Sequence, residues 1–258
     1  MSREHIVSID QALCNKCGAC EKDCVFRAIV LTEAGAEVTG QVCAKCGHCV
    51  AICPENAVSM SGYEDVPEEI PLDFKLDPDD LLKQIKFRRS MRSFTDEEVA
   101  QEDLDKILDA GRFTPTARNM QGVSYVVIRD NIAEYERIAV SVLRRIKPLA
   151  DPLISRYRNF TIDDDFFFKG APLAIVIRAN YELDGALAAS LMELTAQSLG
   201  LGVLYSGFFT RVAMMSGKIK RKLQITKRDR IVTTLVIGHP AVKYKRTVQR
   251  ESARVLYD

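Results

Sequence analysis

Beyond residue 79, apolar residues follow a helical spacing in some segments and form short apolar runs in others. In residues 101–113, for example, Leu104, Ile107 and Leu108 recur every three to four positions and share one face of a helix. The predicted helices are 80–90, 101–113, 132–146, 183–199 and 211–223, and the predicted strands are 124–129, 172–178 and 231–237. Helices that alternate with few strands predict an α+β or α/β domain around a modest sheet.

The first part of the chain carries a repeated pattern of cysteines. The runs CNKCGACEKDC (14–24) and CAKCGHCVAIC (43–53) share the spacing C-x2-C-x2-C-x3-C, with a period of 29 residues (43 minus 14). A short strand-like stretch precedes and follows each run, so we expect two copies of one small unit related by a pseudo-twofold axis. Residues 54–258 contain no cysteine, which indicates a metal-bearing module attached to an ordinary domain.

This spacing is the ligand pattern of bacterial ferredoxins, in which the fourth cysteine of each run ligates the cluster of the other run. The pattern assigns one 4Fe–4S cluster to Cys14, Cys17, Cys20 and Cys53, and the other to Cys43, Cys46, Cys49 and Cys24. Zinc and disulfides are weaker explanations, because zinc needs only four ligands per site and disulfides would staple the whole chain. The resemblance to two-cluster ferredoxins covers roughly residues 5–60, with one departure: Val25 follows Cys24, whereas Pro54 follows Cys53 as the pattern expects.

Composition and charge argue against several classes of protein. The chain has 258 residues, 47% of them hydrophobic, and its 36 basic and 35 acidic side chains give a net charge of +1, so no global field attracts nucleic acid. The start, MSREHIVSIDQ, lacks the apolar core of a secretory signal. The longest apolar stretch, 186–194, is shorter than the about 20 residues that a membrane span needs. We therefore expect a cytoplasmic protein that binds neither membranes nor nucleic acid.

A change in composition after residue 60 separates the two parts of the chain. Residues 61–80 carry eight acidic side chains, one lysine and three prolines, and proline resists both helix and sheet. We expect an extended, solvated connector, with a docking strip for a basic redox partner as the alternative. The predicted domains are a ferredoxin module at 1–62, a linker at 63–79 and a larger domain at 80–258.

Three segments of the larger domain combine residues that suit a phosphate and a flat ring. FRRSMRSF (87–94) offers three guanidinium groups and a hydroxyl, which suit a phosphate. PTARNMQG (115–122) is a polar turn in which Asn119 can both donate and accept hydrogen bonds. SLGLGVLYSGFF (198–209) holds three glycines, which allow a close approach of backbone to a ring. Taken singly, these segments are equally a solvated helix end, a polar loop, and a helix C-cap with a turn.

In this order, and with the tail IGHPAVKYKRTVQR (237–250), the segments resemble the nitroreductase family of FMN flavoproteins over about residues 80–258. The resemblance implies an α+β fold with central helices, and a homodimer with FMN at its interface. The cofactor-binding residues that it implies are Arg88, Arg89, Ser90 and Arg92 at the phosphate and ribityl chain, Thr116, Asn119 and Gln121 at the flavin, Ser206 and Gly207 with backbone groups near N5, and Arg250, with Arg246 as its alternative, at the phosphate. The chain departs from the family where Gly122 and Val123 replace a common P-W pair, and its tail lacks the prolines often seen shortly before the last arginine.

A ferredoxin module ahead of such a domain also resembles a ferredoxin–nitroreductase subgroup of anaerobic microbes. No residue stands out as a catalytic acid or nucleophile, so we expect the chemistry at FMN N5. The resemblance implies an FMN oxidoreductase that receives electrons through its own 4Fe–4S domain. The electron donor would be an external ferredoxin or another redox protein. The acceptor would be a small molecule such as a nitroaromatic compound, a quinone or an enone. The alternatives are direct use of NAD(P)H, which the missing G-x-G-x-x-G fingerprint does not exclude, and an electron-transfer subunit of a larger redox complex.

Overall fold

The computed structural model describes residues 5–150, 161–226 and 229–258. The chain forms two compact units: the first comprises Met1–Lys75 and Ala117–Met120, and the second comprises Leu76–Thr116 and Gln121–Asp258. The boundary after Lys75 falls inside the predicted linker. The domain bounds 1–62, 63–79 and 80–258 themselves stay predictions.

The first unit contains two copies of one small fold. The first copy consists of β1 (Val7–Ile9), α1 (Ala19–Lys22) and β2 (Ile29–Leu31), and the second of β3 (Ala36–Val38), α2 (His48–Ala51) and β4 (Val58–Met60). Each element of the second copy begins 29 residues after its counterpart (36 minus 7, 48 minus 19, 58 minus 29). β1 pairs antiparallel with β4, and β2 with β3. Each two-stranded sheet therefore takes one strand from each copy, which is what a pseudo-twofold relation requires.

The described part of the second unit is built around a four-stranded antiparallel sheet. Its helices are α3 (Pro78–Phe87), α4 (Gln101–Arg112), α5 (Ile132–Ala150), α6 (Glu182–Ser198), α7 (Gly207–Met215) and α8 (Gly217–Lys222), and its strands are β5 (Val123–Ile128), β6 (Leu173–Ala179), β7 (Gly202–Tyr205) and β8 (Arg230–Gly238). The strand order is β5-β6-β8-β7, and every neighbouring pair is antiparallel. The α+β class predicted from the sequence is confirmed. None of the helices in the described ranges has the length and apolar character that a membrane crossing requires.

The sheet is buried on both faces, which explains why its central strands read as continuous apolar runs in the sequence. Along β6, Ala174 and Val176 pack into the core that contains residues of α5, α7 and α8. Leu173 and Ile175 alternate with them and pack into the core that contains residues of α4 and α6. Helices thus cover both faces of the sheet. Several residues of the candidate site follow the ends of β7 and β8.

Several predicted helix boundaries differ from the structure, and side-chain caps explain two of the differences. The predicted helix 211–223 is interrupted at Ser216, where φ is −88° and ψ is 110° and the hydroxyl accepts the Ile219 N–H at 3.3 Å, so that α8 begins anew. Helix α3 begins at Pro78 instead of residue 80. The Asp77 carboxylate accepts the N–H groups of the first turn, and proline suits the first helical position.

Strand β7 lies within residues 198–209, where the sequence indicated only a helix end and a turn. Gly200 has a φ of 81° and follows the end of α6, in agreement with the C-cap explanation. Gly202 serves close packing instead, because a Cβ atom there would lie 2.7 Å from the Met91 side chain. The Met91 N–H also donates to the Val203 carbonyl at 2.9 Å. The arginine-rich segment after α3 is therefore anchored along β7.

We predict that Gly202→Ala destabilises the second unit by about 1–3 kcal/mol, the usual cost of overpacking, because the added methyl group would collide with Met91. Gly217→Ala is the matched control, since a Cβ atom at this helical glycine meets no atom within 4 Å and alanine is favoured in a helix. Urea unfolding followed by circular dichroism would measure both variants. Equal unfolding midpoints for the two variants would contradict this account of Gly202.

Candidate functional site

The structure gathers the eight cysteines into two cavities. The first is lined by Cys14, Cys17, Cys20 and Cys53, and the second by Cys24, Cys43, Cys46 and Cys49. Each cavity takes its fourth cysteine from the other run, in the arrangement that the spacing predicts. That these residues act as cluster ligands stays a prediction.

Left-handed backbone positions shape the two cysteine loops alike. Gly18 and Gly47 have φ angles of 72° and 76°, a region open to glycine. Lys16 and Lys45 also have positive φ angles, of 59° and 55°, although a side chain makes this conformation costly. The loops therefore follow one backbone path, with equivalent positions 29 residues apart (47 minus 18, 45 minus 16). The glycines were recognisable from the sequence, whereas the lysines gave no such signal.

Backbone N–H groups are directed at cysteine sulfurs in both cavities. The Ala28 N–H donates to Cys24 Sγ, and the Ala57 N–H donates to Cys53 Sγ, both at 3.2 Å. Hydrogen bonds of this kind favour the thiolate over the thiol and tune the potential of a bound cluster. The two bonds occupy equivalent positions of the repeat. The fourth cysteine of each cavity, which comes from the other run, therefore accepts the same kind of hydrogen bond.

Burial and hydrogen bonding act in opposite directions on the other thiols. Hydrogen bonds from the backbone of Ala36 and Lys16 lower the pKa of Cys14. Burial raises the pKa of Cys49 to about 11 and also raises the pKa of Cys20. Metal ligands are thiolates, so cluster assembly must displace protons from the buried thiols. Four thiols in each cavity, with N–H donors directed at them, form a donor set that fits a 4Fe–4S cluster.

A 4Fe–4S cluster needs a different arrangement of ligands from a single metal ion. Within residues 5–150, 161–226 and 229–258, no group of three or more His, Cys, Asp or Glu side chains is arranged to hold one metal ion. The four cysteines of a 4Fe–4S site surround a four-iron body instead of converging on one atom. The two four-cysteine cavities have the ligand number that such a body needs.

The arginine-rich segment contains one guanidinium that is already paired. Arg88 Nη1 lies 2.9 Å from Glu193 Oε1, and Glu193 is buried in α6. Burial, together with the Glu193 carboxylate, raises the pKa of Tyr205 at the end of β7. A guanidinium has five N–H donors, so Arg88 retains donors for a phosphate while Glu193 sets its orientation. Glu193 and Tyr205 were missed by the sequence reasoning, although an acid inside the apolar helix 183–199 was a signal.

Arg92 is the exposed cation of this segment, whereas Arg88, Arg89 and Ser90 are half-buried. Arg89 turns back onto the carbonyl groups of Lys86 and Arg88. Arg92 Nη1 makes a long contact, 3.5 Å, with the Ser90 carbonyl. Arg92 is therefore the member of the segment that is most open to an anion.

A strained turn carries three residues that the family resemblance assigns to the flavin. Asn119 and Gln121 have φ angles of 52° and 48°, and Arg118 between Ala117 and Asn119 has one of 54°, a region that costs a non-glycine residue energy. The Thr116 hydroxyl accepts the Gln121 N–H at 2.9 Å and so closes the turn. Strain of this kind persists where the surroundings enforce it, and it is common at ligand-binding segments. The positive φ angles at three non-glycine residues could not be predicted from the sequence.

Ser206 is bound into the core instead of being open to a ligand. Its N–H donates to the Thr234 carbonyl at 2.8 Å, and its buried hydroxyl donates to the Phe167 carbonyl at 2.9 Å. Gly207 begins α7, so its N–H is one of those that a helix start leaves without an intrahelical partner. A Cβ atom at Gly207 would meet no atom within 4 Å. The Ser206 N–H is thus already bonded to the Thr234 carbonyl, and the placement of backbone groups of Ser206 and Gly207 near a flavin stays a prediction.

The tail beyond β8 is exposed and irregular, and it includes both Arg246 and Arg250. Its start is fixed, because the Ala241 N–H donates to the Ser93 carbonyl at 3.0 Å. The tail thus begins beside the arginine-rich segment. Contact of Arg250, or of Arg246, with a phosphate stays a prediction.

Two family models match two separate parts of the chain. Residues 85–239 match the Nitroreductase family, and residues 13–58 match a 4Fe-4S dicluster domain. The chain belongs to the nitroreductase family. It is an oxidoreductase of nitroreductase type with a 4Fe–4S dicluster domain ahead of it in the chain, and both family predictions from the sequence are confirmed. We call the second unit the nitroreductase unit and the first the ferredoxin unit.

Three known proteins illustrate the similarity. A Methanothermobacter thermautotrophicus protein with the provisional name NADH dehydrogenase/NAD(P)H nitroreductase is 28% identical over 181 residues, which are 67% of this chain and 83% of that protein. A ferredoxin of Pyrobaculum islandicum is 40% identical over 63 residues, which are 24% of this chain and 58% of that protein. The crystal structure of a nitroreductase with bound FMN from Bacteroides fragilis shares the fold, with a TM-score of 0.57 and 18% identity over 69% of this chain and 98% of that one.

We predict about eight irons and eight acid-labile sulfides per chain after anaerobic preparation, the content of two 4Fe–4S clusters. Cys53→Ser should halve this content, because it removes one thiol from the first cavity and leaves all four in the second. Iron and sulfide assays, with electron paramagnetic resonance of the reduced protein, would measure the loss. Stoichiometric zinc in place of iron would refute the cluster assignment.

We predict that Arg92→Ala weakens FMN binding roughly tenfold to a hundredfold, the effect of losing one hydrogen bond to a charged group. Its guanidinium is the exposed one of the segment, so the loss should leave the fold and the iron content unchanged. Arg137→Ala is the control, because Arg137 is an exposed arginine of α5 whose Nε donates to the Ala133 carbonyl of the same helix. FMN titration followed by flavin fluorescence would measure both. An unchanged affinity in Arg92→Ala would show that Arg92 does not face the phosphate.

Proposed function

We propose that the chain is an FMN-dependent oxidoreductase that receives electrons through its own 4Fe–4S domain and reduces an electron-poor organic molecule, such as a nitroaromatic compound, a quinone or an enone. The observation that carries the proposal is the union in one chain of two four-cysteine cavities with a nitroreductase unit. Iron–sulfur clusters supply one-electron transfer and FMN supplies hydride chemistry. Their combination suits an enzyme with a one-electron donor and a two-electron acceptor.

Residues of the nitroreductase unit and of the strained turn would hold the flavin. The exposed Arg92 and the Glu193-oriented Arg88 provide charge-assisted donors for its phosphate. The turn with Asn119 and the open N–H of Gly207 provide polar groups for its ring. FMN in the Bacteroides fragilis nitroreductase supports this choice of cofactor. Protons would come from water.

An exposed apolar stripe on α6 supports a homodimer. Leu183, Leu187 and Leu191 are 69%, 40% and 38% exposed and follow one another at four-residue intervals, so they lie on one face of the helix. Leucines aligned on one exposed helix face favour burial against another protein surface. A second copy of the chain is the partner that we propose, with FMN at the interface between the copies.

Direct reduction by NAD(P)H is the second candidate. It is supported by the Methanothermobacter thermautotrophicus relative, whose name includes NAD(P)H nitroreductase. In that case electrons would pass from NAD(P)H to FMN without passing through the clusters. A third candidate, an electron-transfer subunit of a larger redox complex, predicts no turnover with any small acceptor in a screen under anaerobic conditions.

We predict that reduced ferredoxin bleaches the flavin of the anaerobic, FMN-saturated protein faster than NAD(P)H does, because the 4Fe–4S clusters that the two cavities would hold transfer single electrons. Stopped-flow absorption in the flavin band would measure both rates. The control is the double variant Cys17→Ser/Cys46→Ser, which loses one thiol from each cavity and keeps every proposed flavin residue. Dithionite should still reduce its flavin, whereas ferredoxin should do so slowly. Reduction by ferredoxin at the wild-type rate would show that electrons reach the flavin without passing through the clusters.

A further inference from the structure

One carboxylate of α5 is buried in the core of the nitroreductase unit. Glu136 is 7% exposed, and its two oxygens accept the N–H groups of Phe167 and Phe168, each at 2.8 Å. Burial raises the pKa of Glu136, and these two hydrogen bonds act against the rise. A buried carboxylate is costly unless it is hydrogen-bonded. The carboxylate and the two N–H groups therefore fix one another in position.

The two N–H groups belong to a single turn that contains three consecutive phenylalanines, residues 166–168, which we call the phenylalanine turn. The Lys169 N–H donates to the Asp165 carbonyl at 2.8 Å across this turn. One turn of backbone has few hydrogen bonds of its own, and the first N–H groups of such a turn have no partner within it. Glu136 provides that partner, so its side chain determines where the turn lies against α5.

The phenylalanine turn in its turn holds the start of α7. The Ser206 hydroxyl makes no capping bond within α7 and donates to the Phe167 carbonyl at 2.9 Å. The Phe209 ring packs 4.7 Å from the Phe168 ring, measured between centroids. On the other side, the Ser206 N–H donates to the Thr234 carbonyl of β8. The start of α7 is therefore held between the sheet and the phenylalanine turn.

This arrangement sets the direction of one backbone donor, the Gly207 N–H. This N–H and the Ser206 carbonyl belong to one planar peptide unit. The carbonyl accepts the Thr210 N–H at 3.0 Å and the Thr210 hydroxyl at 3.1 Å. With the carbonyl and the Ser206 side chain both bonded, the peptide plane cannot rotate freely. Two hydrogen bonds in series, through Phe167, thus join Glu136 to the residue that precedes Gly207.

We propose that Glu136 is a positioning residue for the flavin: through the phenylalanine turn it fixes the peptide unit of Ser206 and Gly207, whose N–H would donate to N5 of FMN. The proposal rests on the proposed function, in which Gly207 provides a polar group for the flavin ring. Glu136 acts through these two residues and does not need to touch the ring. A donor that is held in place before the ligand arrives loses less freedom on binding.

The test compares FMN with 5-deazaFMN, in which a C–H group replaces N5 and removes the hydrogen-bond acceptor while the ring keeps its shape. Isothermal titration calorimetry of the full-length protein, freed of flavin, gives both dissociation constants. The unaltered protein should bind FMN roughly fivefold more tightly, the usual effect of one neutral hydrogen bond. Glu136→Gln leaves one acceptor for two N–H donors. The preference for FMN should then fall to about equal binding of the two flavins, because the Gly207 N–H loses its fixed direction.

Glu134→Gln is the matched control. It makes the same change on the same helix and also removes a partner, because Glu134 Oε2 accepts from Lys222 Nζ at 2.7 Å. Its preference for FMN should stay at the value of the unaltered protein, even where its stability falls. Circular dichroism and iron content would establish that each variant is folded. Glu136→Met is the second variant, since it removes both acceptors together with the buried charge, and we expect the same loss of preference.

An undiminished preference for FMN in the folded Glu136 variants would overturn the inference. Equal weakening of FMN and 5-deazaFMN would do so as well, since it would assign Glu136 to the stability of the unit alone. Equal binding of the two flavins by the unaltered protein would show that the Gly207 N–H does not meet N5, and the role of Glu136 would fall with it. Failure of the unaltered protein to bind FMN is a distinct result, which would count against the proposed function itself and thereby overturn the inference.

Discussion

The ferredoxin unit depends on the exchange of one cysteine between its two copies. Cys53 completes the first cavity and Cys24 the second, so neither copy can provide a four-cysteine site alone. The buried apolar cluster of the unit is small, with Cys20, Ile29 and Ala36 as its buried members. A unit of this size has little hydrophobic surface to bury, and metal ligation supplies folding free energy in such cases. Each of the two small sheets likewise pairs one strand of the first copy with one strand of the second.

The nitroreductase unit is organised by a different constraint, a sheet that is buried on both faces. Alternate residues of β6 enter two separate cores, so helices must cover both sides of the sheet. Some of the proposed flavin residues lie just before or after a strand, as Gln121 does before β5 and Gly207 does after β7. β7 positions the segments on either side of this frame of packing: Gly202 within the strand admits Met91 of the arginine-rich segment, and Ser206, which follows the strand, fixes the start of α7. The buried Glu193 adds a charge that needs a partner, and Arg88 provides it at 2.9 Å. The position of the proposed phosphate ligands thus follows from packing and from charge pairing together.

Strain and hydrogen bonding meet in the turn around Asn119. Its left-handed angles cost energy that the bonds from Asn119 to Lys45 and from Gln121 to Thr116 help to offset. These hydrogen bonds give a physical reason why a costly conformation persists in a short polar turn.

The sequence by itself determined the family, the cysteine quartets and most of the elements, because each depends on local spacing. The prediction of 101–113 as a helix and 231–237 as a strand is confirmed by α4 and β8, with a difference of one residue at the ends. Tertiary structure alone decided which groups pair. Arg88 meets Glu193 105 residues away, Asn119 meets Lys45 74 residues away, and Ser206 meets Phe167 39 residues away. Strand β7 also exists through its pairing with β8. Periodicity records which side of an element is buried, but the choice among distant donors and acceptors is made only when folding brings them within hydrogen-bonding distance.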